Sequence, residues 1–242
     1  MNEPRFKIGS SIGKKLLNGL TGLALMGFVV AHLAGNLTLL FGSNAFNTYS
    51  ESIARFGFLV YVAEVGLLAL IVAHAVSAII VWNDKRSARS TRNSVEQSKG
   101  PPSKQTVFSR SMIVTGLVLL VFLVIHIWQF RFGAGISQGY VTTVHGEPAR
   151  DLYRLVVETF RSPIWVGFYT AVMILLGMHL RHGFWSAFQS IGALNPSLRP
   201  LAYSAGAVFA VLIAVGFLIL PLVLFFTAPD AMPPSVAMGL RP

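Results

Sequence analysis

The 242-residue chain is strongly apolar: 54% of its residues are hydrophobic, 12% are charged, and its mean hydropathy is +0.64. Because soluble domains carry about 25% charged residues, this composition excludes an ordinary soluble enzyme and predicts a polytopic membrane protein. The chain contains no cysteine, which excludes disulfides, thiolate-held iron–sulfur clusters and covalently attached haem. Its net charge of +10 does not indicate a nucleic-acid partner, because basic residues beside apolar segments act as topology signals.

Five apolar segments are long enough to cross a bilayer, which takes about 20 residues in a helix. They cover residues 16–41, 56–82, 111–130, 163–188 and 201–227. The segments predict an all-α integral membrane protein with five transmembrane helices in a single domain, 1–242. The first segment follows a basic stretch, as in a secretory signal, but it is too long for one and no small-residue cleavage site follows it. We therefore expect this segment to be retained as a helix.

The lysines and arginines predict the direction of these helices. Thirteen of the 19 fall on one side of the membrane, in the N-terminal segment, in the 83–110 loop and at Arg181 and Arg199. Because positive charge is enriched in cytoplasmic loops, we expect a cytoplasmic N-terminus and an outside C-terminus, in the inner membrane of the cell. The polar 83–110 loop is a candidate linker or docking strip for a soluble partner. Residues 150–160 of the outer loop have the spacing of a short interfacial helix.

Four histidines lie deep inside the apolar segments, one in each of the first four, and a fifth, His182, lies nearer the end of the fourth segment. Ionisable side chains at membrane depth are rare and usually mark a relay, a pathway or a ligand site. Helix direction alternates and each residue rises about 1.5 Å, so residue number converts to depth. His32 and His126 fall at one depth, in the outer half. His74 and His179 fall at another depth, in the inner half, roughly 10–14 Å away along the membrane normal.

Two imidazoles at one depth on different helices can clamp one haem from both faces, and paired neutral imidazoles suit haem iron. The pattern therefore predicts a four-helix core that holds two b haems, one for each pair of histidines. Stacked across the bilayer, the two haems would form an electron path. One alternative is that the histidines hydrogen-bond to neighbouring helices. Another is a haem-free proton relay or transporter in which the histidines act together with Glu64.

The sequence around each histidine resembles one known family. The four contexts read AHLAGN (31–36), AHAVSA (73–78), HIWQFR (126–131) and HLRHGFWSAFQSIG (179–192). Together with the five spans, they resemble the five-helix, di-haem cytochrome b membrane subunit of succinate:quinone oxidoreductases and fumarate reductases. The fourth context is the most specific, because a histidine is followed four residues later by glycine and then by an aromatic-rich segment.

The resemblance implies a function and partners. An iron–sulfur subunit and a flavoprotein subunit would dock on one face, and electrons would pass between the iron–sulfur subunit, two b haems and membrane quinone, with menaquinone favoured. The chain would be the subunit of the complex that does not bind the dicarboxylate, surrounded by lipid and able to join a higher oligomer. The ligands of haem iron that the resemblance implies are His32, His74, His126 and His179. A different di-haem quinone-linked cytochrome, without a dehydrogenase partner, stays open as an alternative.

Several residues near the predicted haems are candidates for further roles. His182 is a rival fourth ligand, three residues after His179, but the four-residue spacing from histidine to glycine in the family pattern favours His179. His182 and Arg181 could contact the propionates of the inner haem, or could anchor the helix at the membrane surface. Arg131 could pair with a propionate of the outer haem, because a cation beside a carboxylate is favourable.

Glu64 is the only acidic residue inside the five predicted spans. Burial favours the neutral form of a carboxyl group, so this residue is a candidate for proton exchange with quinone near the outer haem. The alternative is a protonated side chain that hydrogen-bonds to a neighbouring helix. His145, in the outer loop, is expected to be a surface residue, with a role near the quinone as the alternative.

Overall fold

The computed structural model describes residues 10–87 and 111–227. Within these ranges the chain forms seven α-helices: α1 Ser11–Leu37, α2 Ser43–Ala54, α3 Phe58–Ser87, α4 Met112–Phe130, α5 Leu152–Phe160, α6 Pro163–Ser190 and α7 Leu198–Thr227. Short 3-10 turns occupy Thr38–Phe41 and Ile136–Gln138, and two antiparallel strands are β1 Val141–Val144 and β2 Glu147–Arg150.

Five of these helices are long and apolar enough to cross a membrane: α1 with the 3-10 turn that follows it, α3, α4, α6 and α7. Each of them coincides with one predicted span, and no end differs from its predicted position by more than five residues. The predicted all-α membrane fold with five transmembrane helices is therefore confirmed, and the chain is a multi-pass membrane protein. The predicted loop 83–110 begins later than expected, because α3 continues to Ser87, and the rest of this loop lies outside the described residues.

Two helices begin before their predicted spans because a polar side chain caps them. The Oγ of Ser10 accepts the N–H of Gly13 at 3.1 Å, at the start of α1. The Oδ1 of Asn195 accepts the N–H of Leu198 at 2.9 Å, at the start of α7. Such caps satisfy backbone donors that have no partner inside the helix, and hydropathy alone does not reveal them.

The outer loop contains the predicted interfacial helix and a hairpin that was not predicted. The helix is α5, which begins after Asp151, whose side chain accepts the N–H of Arg154 at 3.0 Å. Strands β1 and β2 are joined by His145 and Gly146, which have φ values of 53° and 84°. Positive φ at both central residues is the conformation of a type I′ hairpin turn. His145 is thus an exposed residue of this turn.

Helix α2 was also not predicted, and a buried amide ties it to α5. Asn47 is 2% exposed. Its Nδ2 donates to Oδ1 of Asp151 at 2.8 Å, and its Oδ1 accepts the N–H of Tyr153 at 2.9 Å. Because a buried amide with both its donor and acceptor satisfied orients its neighbours, Asn47 fixes α2 against the N-terminus of α5.

The described residues divide into two compact units. Unit I contains residues 10–29, 64–87, 111–118 and 175–212, and unit II contains residues 30–63, 119–174 and 213–227. Unit II has a core of aromatic and aliphatic side chains that includes Phe46, Val157, Phe160, Tyr169 and Leu220. In unit I, the buried side chains include three hydroxyl groups, those of Thr21, Ser77 and Thr115.

Candidate functional site: two pairs of histidines

Unit II holds His32 of α1 and His126 of α4. Their ring centroids lie 5.7 Å apart, and the ring planes cross at 88°. Aromatic rings surround the pair: the centroid of Phe217 lies 5.9 Å from that of His32, and those of Phe122 and Phe130 lie 5.4 and 5.3 Å from that of His126. The two imidazoles therefore face each other in apolar surroundings.

Unit I holds His74 of α3 and His179 of α6, with ring centroids 6.4 Å apart and ring planes at 73°. In both units the two histidines that lie side by side are those predicted to lie at the same depth in the membrane. The ring that faces His74 is that of His179, whereas the ring of His182 lies 6.1 Å from Trp185. Whether these histidines ligate haem stays a prediction, and their geometry is what supports it.

A threonine hydroxyl contacts each histidine of unit I. The Oγ1 of Thr21 lies 3.3 Å from Nδ1 of His74, and the Oγ1 of Thr115 lies 3.2 Å from Nδ1 of His179. Each hydroxyl also hydrogen-bonds to the carbonyl oxygen four residues earlier in its own helix, at 2.8 and 3.1 Å respectively. Both threonines are buried, with 5% and 3% of their surface exposed.

A glycine follows each of these threonines and lies against the same imidazole. A Cβ atom added to Gly22 would meet Cε1 of His74 at 3.2 Å, and one added to Gly116 would meet Cε1 of His179 at 3.5 Å. Small residues let groups from neighbouring membrane helices approach closely. The two glycines thus provide the space that these imidazoles occupy.

The histidines of unit II have different polar neighbours. Nδ1 of His126 lies 3.4 Å from the hydroxyl of Tyr169, which donates its hydrogen to Oε1 of Gln129 at 2.7 Å. The amide nitrogen of Asn36 lies 3.3 Å from Nε2 of His32 and donates to the carbonyl oxygen of His32 at 2.8 Å. Because the Tyr169 hydroxyl can only accept a hydrogen from Nδ1 of His126, Nε2 of His126 keeps its lone pair. At His32, by contrast, the amide nitrogen of Asn36 lies beside Nε2.

The separation of the rings in each pair suits haem iron. Bonds from imidazole to a metal are about 2.0–2.1 Å, and a ring nitrogen lies about 1.2 Å from the centroid of a five-membered ring with bonds near 1.35 Å. Two imidazoles on opposite sides of one iron therefore have centroids roughly 6.4 Å apart. The His74–His179 distance of 6.4 Å matches this value, whereas the His32–His126 distance of 5.7 Å is about 0.7 Å shorter, so the second pair would have to separate slightly to hold an iron.

The same pairs do not resemble a site for a bare metal ion. In residues 10–87 and 111–227, no group of three or more histidine, cysteine, aspartate or glutamate side chains could hold one. Haem iron needs only two protein ligands, because the porphyrin nitrogens complete its coordination. The donor set of two imidazoles thus fits haem better than it fits a mononuclear metal centre.

Arg181 and His182 lie near the C-terminal end of α6. Arg181 is exposed, and His182 is half-buried beside Trp185. The indole ring of Trp185 stacks on the ring of Tyr203, with centroids 4.8 Å apart and planes at 17°. The indole N–H of Trp185 and the Nε of Arg199 are buried and have no hydrogen-bond partner among the residues that the structure describes. This part of unit I therefore has donors that could serve an additional acceptor.

Arg131 and Glu64 are the other predicted site residues. The guanidinium carbon of Arg131 lies 5.7 Å from the ring centroid of Tyr61 and 5.9 Å from that of Phe132. Glu64 is half-buried on α3, ten residues before His74, which is about 15 Å along the helix. This separation agrees with the predicted depth of Glu64, away from the inner pair of histidines, and its role near the outer haem stays a prediction.

Sequence reasoning missed the hydroxyl partners of the histidines, although a signal for two of them is present. The tripeptide Thr-Gly-Leu begins at Thr21 and again at Thr115, in each case eleven residues before a histidine, His32 or His126. Eleven residues is close to three helical turns, so the threonine and the histidine lie on one face of α1 and of α4. No comparable repeat marks Tyr169.

Comparison with known proteins gives one relative. No family model matches the chain, and no solved structure matches it significantly. The chain is 26% identical over 204 residues to the succinate dehydrogenase cytochrome b558 subunit of Bacillus subtilis, and the match covers 83% of this chain and 91% of that protein. The resemblance predicted from the histidine contexts is therefore confirmed: over most of its length, the chain is similar to a succinate dehydrogenase cytochrome b subunit.

Proposed function

We propose that this chain is the membrane anchor and electron-transfer subunit of a succinate:quinone oxidoreductase, either a succinate dehydrogenase or a fumarate reductase. It passes electrons between an iron–sulfur subunit and membrane quinone through two b haems. The observation that carries the proposal is that the four membrane histidines form two facing pairs, with ring centroids 5.7 and 6.4 Å apart, each of which supplies the two imidazoles that one haem iron needs. The similarity to the Bacillus subtilis subunit, whose name gives the enzyme and a cytochrome b, supports the same function.

The residues that would hold the haems are the four paired histidines. His32 and His126 would bind the iron of the outer haem. His74 and His179 would bind that of the inner haem. When bound, b haem supplies reversible one-electron oxidation and reduction of its iron. The protein supplies the imidazoles, orients them from neighbouring helices and keeps water away with the aromatic side chains around them.

His32 would need one local change to bind iron through Nε2. The amide nitrogen of Asn36 lies 3.3 Å from that atom and 2.8 Å from the carbonyl oxygen of His32. Because the bond to the carbonyl oxygen is the shorter of the two, Asn36 can release the imidazole and keep its stronger partner. The position of Asn36 one turn after His32 is thus compatible with ligation.

Haem propionates need cationic or hydrogen-bonding neighbours. We assign this role to Arg131 at the outer haem and to Arg181 and His182 at the inner haem. Support comes from buried donors that have no hydrogen-bond partner in either unit: Trp185 Nε1, Arg199 Nε, Arg161 Nη2 and Thr170 Oγ1. An unpaired buried donor costs roughly 1–3 kcal/mol, and a carboxylate placed beside it would remove that cost.

Quinone chemistry requires protons as well as electrons. Reduction of a quinone takes up two protons and oxidation of the quinol releases them, so a side chain that exchanges protons is needed near the quinone. We assign this role to Glu64, the carboxyl group inside an apolar span, with menaquinone as the favoured quinone. The half-buried position of Glu64 on α3 gives it access to a ligand from the lipid phase.

The charge distribution supports a position and a set of partners for the chain. The N-terminus lies on the cytoplasmic side of the inner membrane and the C-terminus lies outside, with the iron–sulfur and flavoprotein subunits docked on the cytoplasmic face. Lipid surrounds the spans, in keeping with exposed aliphatic side chains on α3 such as Leu59 and Val65, 63% and 67% exposed. The dicarboxylate binds to the soluble partners, the complex can form a higher oligomer, and no nucleic acid is bound.

Purification of the tagged chain from its own membranes tests this function. We expect an iron–sulfur subunit and a flavoprotein subunit to copurify, and the complex to reduce quinone with succinate or fumarate with quinol. Two haems without soluble subunits would instead favour another di-haem quinone-linked cytochrome. A folded chain with neither haem nor soluble subunits would favour a proton relay built from the histidines and Glu64.

A further inference from the structure

The two histidines of unit I have matched polar contacts. Each has a buried threonine hydroxyl 3.2–3.3 Å from its Nδ1, and each has the glycine next to that threonine against its Cε1. These contacts occur between two different pairs of helices: Thr21 of α1 contacts His74 of α3, and Thr115 of α4 contacts His179 of α6. Because the same arrangement occurs twice, it is a feature of the paired site and not of one local packing contact.

The direction of these hydrogen bonds follows from the single hydrogen of each hydroxyl. Thr21 donates that hydrogen to the carbonyl oxygen of Leu17 at 2.8 Å, and Thr115 donates to that of Ser111 at 3.1 Å, as threonine commonly does within a helix. Each hydroxyl oxygen can then only accept from the imidazole. Nδ1 of both histidines therefore carries the hydrogen, and Nε2 presents its lone pair. The imidazole of His74 has a further hydrogen bond, to the backbone of Asn18.

We infer that Thr21 and Thr115 are positioning residues for the inner haem, each fixing the Nδ1–H tautomer of one axial histidine and making it a stronger electron donor. This inference rests on the proposed function, because it concerns the haem that the pair would hold. An acceptor on the second ring nitrogen fixes a metal-bound histidine and raises its basicity. A more basic axial ligand stabilises ferric over ferrous iron, so the two threonines lower the midpoint potential of the inner haem.

Valine variants of the complex test this role, because valine keeps the shape of threonine and removes the hydroxyl. We expect Thr21→Val and Thr115→Val each to keep two haems per chain and to raise the potential of the inner haem in an optical redox titration. The ratio of reduced to oxidised inner haem at the wild-type midpoint should rise about threefold, which is about 28 mV at about 59 mV per tenfold change. Thr21→Ser and Thr115→Ser, which restore the hydroxyl, should return the potential to its wild-type value.

Thr227→Val is the matched control, because Thr227 donates to the carbonyl oxygen of Val223 at 2.7 Å in the same way. This variant should leave both haem potentials unchanged. An unchanged inner potential in both valine variants, with two haems present, would overturn the inference and leave the proposed function in place. A change that serine does not reverse would also overturn it, whereas loss of the inner haem in the valine variants with recovery in the serine variants would support it. Absence of haem from the wild-type complex would overturn the proposed function itself.

Discussion

The hydroxyl of Tyr169 lies 3.4 Å from Nδ1 of His126 and donates its hydrogen to Oε1 of Gln129 at 2.7 Å. The phenol oxygen can therefore only accept from the imidazole, as the threonine hydroxyls do in unit I. Tyr169 is 5% exposed, and the rings of Phe160 and Phe122 lie 5.0 and 5.2 Å from its own. The aromatic core thus holds the hydroxyl in place beside His126.

Replacing this tyrosine by phenylalanine should change the outer haem alone. Tyr169→Phe keeps the ring in the core and removes the acceptor for Nδ1–H of His126, so we expect both haems to be retained. The midpoint potential of the outer haem should rise by up to about 40 mV, the equivalent of the roughly 1 kcal/mol that one hydrogen bond contributes. Redox titration measures this shift, and an unchanged outer potential would contradict the assigned direction of the hydrogen bond.

The space beside His74 predicts the effect of a larger residue on α1. Gly22→Leu places a branched side chain where a Cβ already meets Cε1 of His74 at 3.2 Å, so we expect loss of most of the inner haem with the outer haem retained. Gly27→Leu is the control, because a Cβ added to Gly27 meets nothing within 4 Å. Haem quantification should give about one haem per chain for the first variant and two for the second. Equal haem content in the two variants would contradict the placement of the inner haem.

The carboxyl group of Glu64 should matter for quinone chemistry and not for haem binding. Glu64→Gln removes the exchangeable proton and keeps the size of the side chain, so we expect two haems per chain and quinone turnover lowered by roughly 10²-fold, the lower end of the range for acid–base catalysis. Glu147→Gln, on the exposed hairpin, is the control and should retain full turnover. Normal turnover in the Glu64 variant would remove this residue from the proposed quinone site.

Outside the membrane spans, one ionic network makes a pH-dependent contribution to stability. Glu158 accepts hydrogen bonds from the hydroxyl of Tyr140 at 2.5 Å and from Nε of Arg154 at 2.7 Å. Burial raises the pKa of the Glu158 carboxyl, but the two hydrogen bonds and the charge of Arg154 outweigh burial and leave the pKa below its ordinary value. A carboxyl with a lowered pKa stabilises the folded state above its unfolded pKa, and that contribution is lost as the pH falls through the folded value.

Glu158→Gln should therefore lower the Tm at neutral pH and have little effect in acid. The difference in Tm from the wild type should begin to shrink near pH 4.5, the ordinary pKa of the group, and should vanish below the lowered folded value. Thermal unfolding of the purified protein from neutral pH down to about pH 3 measures this trend. A difference that stays constant over this range would show that the charge of Glu158 is not the cause.

The spans and the pairing of the histidines were predictable because both depend on position along a helix. Apolar length fixes where a helix crosses the membrane, and a constant rise per residue converts sequence position into depth. His32 with His126, and His74 with His179, follow from that conversion without any knowledge of how the helices rotate.

The side chains that contact the histidines were not predictable in this way, because contact depends on the rotation of each helix about its own axis. Hydropathy does not fix that rotation, and so Thr21, Thr115 and Tyr169 were missed. Helix α2 was missed for a different reason: its sequence has few apolar residues, and the buried amide of Asn47 secures it to α5 by hydrogen bonds. The hairpin depends on positive φ at His145 and Gly146, and His-Gly is not among the dipeptides, Asn-Gly, Asp-Gly and Gly-Gly, that signal a type I′ turn in a sequence.

The most direct test of the account is a dithionite-reduced minus oxidised spectrum, with pyridine haemochrome quantification, of the wild type and of four single histidine-to-alanine variants. We predict two b haems per chain in the wild type. Loss of one haem signal should be common to His32→Ala and His126→Ala, and loss of the other should be common to His74→Ala and His179→Ala. Absence of haem from the well-folded wild type, or haem losses that follow a different pairing, would contradict the account.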